Sequence, residues 1–212
     1  DLDLYVGNES TEGLSDVPCQ LFRNDGDGTF TDVAPAAGVQ NYGFTKAVIW
    51  GDYDGDRWLD LYVSNLGDAN RLYRNNGDGT FSDVARQLHV EGPERSFPSW
   101  FWDFDNDGAL DLYVSGYSAV IADLAASALG MPVEAKLPRL YRGDGHGGFA
   151  EVAQERNLGV PNAPMGANFG DLDNDGYLDF YLGTGYPNVR NIMPGIMYRN
   201  RNGARFVDVS YT

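Results

Sequence analysis

Three stretches of the chain repeat one acidic pattern: DYDGDRWLD from Asp52, DFDNDGALD from Asp103 and DLDNDGYLD from Asp171. Aspartate stands at the first, third, fifth and ninth places: Asp52, Asp54, Asp56 and Asp60; Asp103, Asp105, Asp107 and Asp111; Asp171, Asp173, Asp175 and Asp179. Ca²⁺ takes six to eight oxygen ligands, and carboxylates on alternate residues of one tight turn converge on such an ion. The backbone carbonyl of the seventh residue (Trp58, Ala109 or Tyr177) completes the expected set. The ninth-place aspartate also opens the next strand, so it holds the ion from a rigid element. A polar turn needs only one or two Asp, Asn or Gly residues at no fixed spacing, so this pattern exceeds a turn. Without a cation the four carboxylates repel one another in a small volume. Mg²⁺ demands near-octahedral geometry and retained waters, and no His or Cys lies in the loops to suit a transition metal, so the expected ion is Ca²⁺.

The loops are not identical. The sixth place holds Arg57 where the others have Gly108 and Gly176, so the first loop is expected to be the weakest site, with Gly55 supplying the flexibility instead. Asp3 occupies the ninth place of a fourth loop implied upstream and is not a site on its own.

The elements that must position these loops also repeat. DLYV or a close variant recurs at Asp3, Asp60, Asp111 and Asp179, a spacing of about 50–70 residues. Each is followed by a second signature: QLFRNDGDGTFTDVA from Gln20, RLYRNNGDGTFSDVA from Arg71, RLYRGDGHGGFAEVA from Arg139 and IMYRNRNGARFVDVS from Ile196. Branched and aromatic runs bounded by Gly, Asn and Asp read as short strands, and the NGDG-type segments read as hairpin turns that accept positive φ. With AVIWGD before the acidic loop, each unit becomes a four-stranded antiparallel meander. A single such sheet cannot bury both faces, whereas several set radially can. The expected fold is therefore all-β: propeller blades of four-stranded sheets carrying Ca²⁺ loops between their first and second strands, with one short helical insertion. The chain reads as a single partial propeller over 1–212, with blades at about 1–37 (lacking its first strand), 38–89, 90–159 and 160–212. An unpaired strand edge at the start is an aggregation hazard unless covered. The chain is thus expected to be part of a longer protein or of a ring completed by another chain. The insertion, 116–138, has Val120, Ile121, Leu124, Ala125 and Ala128 at helical spacing, with Ser118 as expected N-cap and Gly130 and Pro132 as the stop. Its expected role is to cover an apolar patch.

Composition excludes some partners. The 212 residues carry 31 acidic and 15 basic side chains, a formal charge of -16, which repels phosphate backbones and anionic membranes. Nucleic acid is not an expected partner, and no apolar run is long enough to insert into a membrane. Twelve of the acidic residues lie in the three loops, so much of the charge has a local purpose. The single cysteine, Cys19, cannot form an internal disulfide and is expected in the core.

These loops and hairpins resemble the FG-GAP (VCBS) repeat proteins, the calcium-loop propellers of integrin α-subunit heads and of many secreted bacterial proteins. The resemblance covers essentially the whole chain. PMGANFGDLDNDGYLDFYLGTGYP from Pro164 and the RLYRGDGHGGF hairpin look closest to the branch that includes cartilage acidic protein and bacterial proteins with an ASPIC/UnbV domain. The resemblance implies a propeller, structural Ca²⁺ in the three loops and an extracellular or cell-surface setting. Trp102 stands before the second loop where Gly51 and Gly170 precede the others, so that blade is expected to pack differently.

No catalytic residue is expected: the only histidines are His89 and His146, and the clustered aspartates are committed to calcium. The leading functional expectation is a protein-binding or adhesion module whose partner meets the face opposite the calcium loops, where 116–138 and 183–194 would lie. A second is self-assembly into a homo-oligomer, filament or coat with calcium as staple. A third is a carbohydrate-binding or carbohydrate-processing propeller, suggested by Tyr117 and Tyr186 as surface aromatics.

Overall fold

The computed structural model describes residues 2–10, 17–185 and 193–211. The strands run in chain order as β1 (Leu4–Val6), β2 (Gln20–Asn24), β3 (Phe30–Asp32), β4 (Thr45–Gly51), β5 (Asp60–Asn65), β6 (Arg71–Asn75) and β7 (Phe81–Asp83). They continue as β8 (Ser96–Trp102), β9 (Asp111–Gly116), β10 (Arg139–Gly143), β11 (Phe149–Glu151), β12 (Pro164–Gly170), β13 (Asp179–Thr184), β14 (Ile196–Asn200) and β15 (Phe206–Asp208). They form one three-stranded sheet, β1-β2-β3, and three four-stranded sheets, β4 to β7, β8 to β11 and β12 to β15, every pairing antiparallel. These are the meandering blades expected from the repeats.

Period-two alternation explains how one sheet serves two seams. In β5, Leu61 and Val63 join Tyr5, Cys19 and Leu21 of the preceding blade, while Tyr62 between them joins Leu112, Val114 and Tyr141 of the following one. All six residues of β5 and of β9 are buried, as they must be when both faces are covered. The first strands β4, β8 and β12 lie against one another in turn, so consecutive blades meet along their inner edges. The third seam is the most aromatic: Trp100, Trp102 and Tyr113 from one blade pack with Phe180, Tyr198 and Phe206 from the next. Trp102 does pack differently from Gly51. A Cβ on Gly51 would strike Phe101, whereas Trp102 stacks on Phe206 with ring centroids 5.6 Å apart.

Among the described residues two helices accompany the sheets. The first, α1 (Ala34–Ala37), was not foreseen; it starts on Pro35 near its N-terminus and ends at Gly38, whose φ of 77° suits the stop. The second, α2 (Ile121–Ala128), is the helix of the insertion, but Ser118 does not cap it. Asp123 reaches back to accept from the N–H of Val120 (2.9 Å), and the Ser118 hydroxyl instead accepts from Lys136 N–H (2.6 Å), tying the two ends of the insertion together. Leu124 and Ala135 pack against Tyr117, Ala119, Ala163 and Met193, so the insertion covers an apolar patch. Cys19 is fully buried. Among the described residues no helix is long and apolar enough to cross a membrane.

Candidate metal centre

The acidic loops join the first and second strands of three blades and fold through their own hydrogen bonds. Each turns twice through left-handed backbone, at the fourth place (Gly55, Asn106, Asn174) and again at the sixth (Arg57, Gly108, Gly176). Gly55 therefore does not stand in for the missing sixth-place glycine. Arg57 adopts φ 74° itself, a conformation that strains a side chain with a Cβ. The first loop also differs in one hydrogen bond, at the fourth and fifth places, while the sixth N–H meets the first aspartate in all three. In the second and third loops the first aspartate accepts from the fifth and sixth N–H groups: Asp103 from Asp107 and Gly108, Asp171 from Asp175 and Gly176. In the first loop Asp52 accepts from Gly55 and Arg57 instead.

The ninth aspartates are the most constrained. Asp60, Asp111 and Asp179 are buried, and each takes two backbone N–H bonds. One comes from the second loop residue: Tyr53 (3.2 Å), Phe104 (2.9 Å) and Leu172 (3.0 Å). The other comes from the end of the third strand: Asn75 (2.8 Å), Gly143 (2.9 Å) and Asn200 (2.8 Å). Asp3 makes the same bond to Asn24 N–H (2.9 Å), but it is exposed, and among the described residues no acidic group assembles around it.

Carboxylate oxygens of the first, third and ninth residues converge in every loop. Asp52, Asp54 and Asp60 each offer an oxygen within 4.8 Å of the others, as do Asp103, Asp105 and Asp111, and Asp171, Asp173 and Asp179. The fifth-place aspartates lie outside these groups: Asp56, Asp107 and Asp175 accept from the seventh-place N–H groups of Trp58, Ala109 and Tyr177. Those seventh residues are turned by this bond.

Sequence reasoning passed over an arginine in the third strand. Arg142 donates from Nε to Asp105 Oδ2 (2.7 Å) and from Nη2 to Asp107 Oδ2 (2.6 Å), and Arg199 pairs with Asp173. Among the described residues Arg74, in the same place on β6, makes no ion pair with the first loop. The signal was present in the repeated RLYRN and RLYRG, which were read only as strand.

The donor set suits a hard divalent cation. Asp105 Oδ1 and Asp173 Oδ1 are buried without a hydrogen-bond partner, an arrangement that costs free energy unless something else meets them. Burial above all pushes Asp60 and Asp111 up to about 7; the backbone N–H bonds pull the other way, and the neighbouring aspartates add repulsion. A bound cation supplies the charge that both observations lack. Only oxygen donors converge here, which matches calcium rather than a thiolate or imidazole metal.

His89 and His146 are exposed, and neither belongs to an acidic group. Tyr117, expected as a surface aromatic, is buried against Phe97 with ring centroids 4.8 Å apart, because the insertion folds over it. Tyr186 lies outside the described residues, as does most of the loop after β13.

A sequence profile for the FG-GAP-like repeat matches residues 1–63, 52–114 and 116–182. Cartilage acidic protein 1 of Xenopus tropicalis is 30% identical over 192 residues, covering 86% of this chain, and that of Homo sapiens is 31% identical over the same length. The chain spans 26% of the length of either relative. Among solved structures, an Agrocybe aegerita lectin studied for recognition of non-reducing terminal N-acetylglucosamine is 18% identical, with a TM-score of 0.44 over 90% of this chain and 45% of its own. At that level of likeness nothing about binding carries over.

Proposed function

The chain belongs to the FG-GAP-like repeat family, and from that premise we propose that it is part of one extracellular, calcium-binding β-propeller that serves as a protein-binding or adhesion module. The observation that carries the calcium half is the convergence of first, third and ninth aspartates in three loops, with orphaned buried oxygens at Asp105 and Asp173. Asp56, Asp107 and Asp175 and the seventh-place carbonyls of Trp58, Ala109 and Tyr177 complete the sites by closing on the ion. The first site is the weakest, because Arg57 is strained and brings a positive charge. Relatives named for cartilage support an extracellular setting, where loops of this kind bind calcium at about 10⁻⁴–10⁻³ M. The reading assigns no catalytic role.

The partner half rests on the opposite end of the blades. There the β5–β6 connection, the segment 91–94 and the end of the insertion enclose a cavity of about 460 Å³ lined by Asp68, Glu91, Glu94, Lys136 and Arg139, among others. Calcium stiffens the far end, and these connections meet the partner. Replacing 118–136 by a short Gly-Ser linker is expected to lower calcium-dependent binding to extracellular matrix protein at least tenfold while calcium-dependent melting persists. Undiminished binding by that variant would remove the insertion from the interface.

Of the two aromatics that suggested the carbohydrate reading, Tyr117 is buried and Tyr186 lies outside the described residues.

A further inference from the structure

The second and third acidic loops are joined through one residue, Phe104. Phe104 N–H donates to Asp111 Oδ2 (2.9 Å), and the Phe104 carbonyl, on the preceding side of the next peptide, accepts from Asn200 Nδ2 (2.7 Å). Asn200 in turn donates its own N–H to Asp179 Oδ1 (2.8 Å), and its side-chain amide also reaches the Leu178 carbonyl (3.2 Å). Its Oδ1 accepts from Gly203 N–H (2.9 Å), which fixes the orientation of the amide. Asp111, Phe104, Asn200 and Asp179 are all buried, so water does not compete for these bonds. One residue of the last blade thus connects the ninth aspartate of its own loop to the ninth aspartate of the loop before it.

A second contact crosses the same gap. Asn106, at the fourth place of the second loop, donates from Nδ2 to the carbonyl of Gly176 at the sixth place of the third (2.8 Å). Nothing equivalent joins the first and second loops through this position. The counterpart of Asn200 on β10 is Gly143, which has no side chain, and a Cβ there would run into the Leu110 carbonyl oxygen. Asn75, the counterpart on β6, donates to the Leu59 carbonyl of its own loop (3.1 Å) and accepts from Gly77 N–H (3.0 Å), both within its own blade.

We propose that Asn200 is a positioning residue shared by the second and third loops, so that calcium at either one favours calcium at the other, while the first loop binds independently. This rests on the calcium reading above. An ion at the third loop would further hold Asp179, whose Oδ1 accepts from Asn200 N–H, and Asn200 Nδ2 would in turn hold Phe104, whose N–H bonds Asp111. The reverse holds equally, because coupling between two binding sites is reciprocal.

The test is calcium titration by calorimetry in an Asp52→Ala background, which leaves two sites. Two ions are expected to bind with a Hill coefficient well above 1, and Asn200→Gly, the residue this repeat itself uses on β10, is expected to bring it to 1 and weaken the second step about tenfold. Asn75→Gly is the control and keeps the steepness. Asp171→Ala in the otherwise unaltered chain, which empties the third loop with Asn200 intact, is expected to leave two ions, at the first and second loops, that bind independently, and it serves if the Asn200 variant does not fold. Two ions bound without cooperativity in the Asp52→Ala protein, or steepness retained in Asn200→Gly, would overturn the coupling. No calcium bound by the unaltered chain would overturn the calcium reading instead.

Discussion

Asp111→Ala lowers the calcium bound by the 212-residue chain by one ion and destabilises the fold by about 2–5 kcal/mol, because it strips both functions from one buried carboxylate. The carboxylate groups with Asp103 and Asp105, and it also accepts the N–H groups of Phe104 and Gly143. Without it two backbone donors are left unpaired in the interior, each at about 1–3 kcal/mol. Asp3→Ala is the internal control. Asp3 makes the matching strand bond to Asn24, yet it is exposed and belongs to no acidic group among the described residues, so its loss leaves the ion count unchanged. Equilibrium dialysis gives the stoichiometry, and urea unfolding in calcium gives the stability. An unchanged ion count in Asp111→Ala would show that the loop does not hold its ion through the ninth aspartate.

Phe180→Ala produces the largest loss among single substitutions in the seams, about 3–5 kcal/mol. The ring stands at the junction of the third and fourth blades, with centroids 5.5 Å from Trp100 and Trp102, 5.3 Å from Tyr113, 4.8 Å from Tyr198 and 5.2 Å from Phe206. Removing it opens a cavity that five other rings cannot collapse to fill. Domains are stable by only about 5–15 kcal/mol, so this variant approaches the unfolding threshold at ambient temperature. Phe30, the same residue type at the start of β3, is 52% exposed, and its replacement by alanine costs at most about 0.5 kcal/mol. Chemical denaturation of the two variants side by side checks the contrast. Equal losses would contradict the packing of blade on blade.

The acidic spacing and the hairpin turns could be read directly from the sequence because both are local. Alternation in DLYV marks a strand with two covered faces, and Asn-Asp-Gly runs mark the turns where positive φ is required. What escaped the reading depends on residues distant in sequence. Arg142 meets Asp105 and Asp107 only because β10 runs beside the loop that precedes β9. Tyr117 looked like a surface ring, but α2 and the returning chain bury it. Ser118 had the chemistry of an N-cap, yet Lys136 claimed its hydroxyl and Asp123 met the helix end from within. The fifth aspartates share the spacing of the others, but their bonds to the seventh N–H groups set them apart from the converging oxygens. Gly55 suggested slack for Arg57; the fold instead asks for left-handed backbone at both places.

The most direct test of the calcium account is the thermal unfolding midpoint of the chain in excess chelator, in millimolar calcium and in millimolar magnesium. A ligand that binds only the folded state adds about 1.4 kcal/mol per site when present at about 10 times its dissociation constant, and three sites act together. The account predicts a rise of at least about 10 °C with calcium and little change with magnesium. A midpoint that is the same in calcium and chelator would mean that the three aspartate groups hold no structural ion, and the proposed function would fall with them.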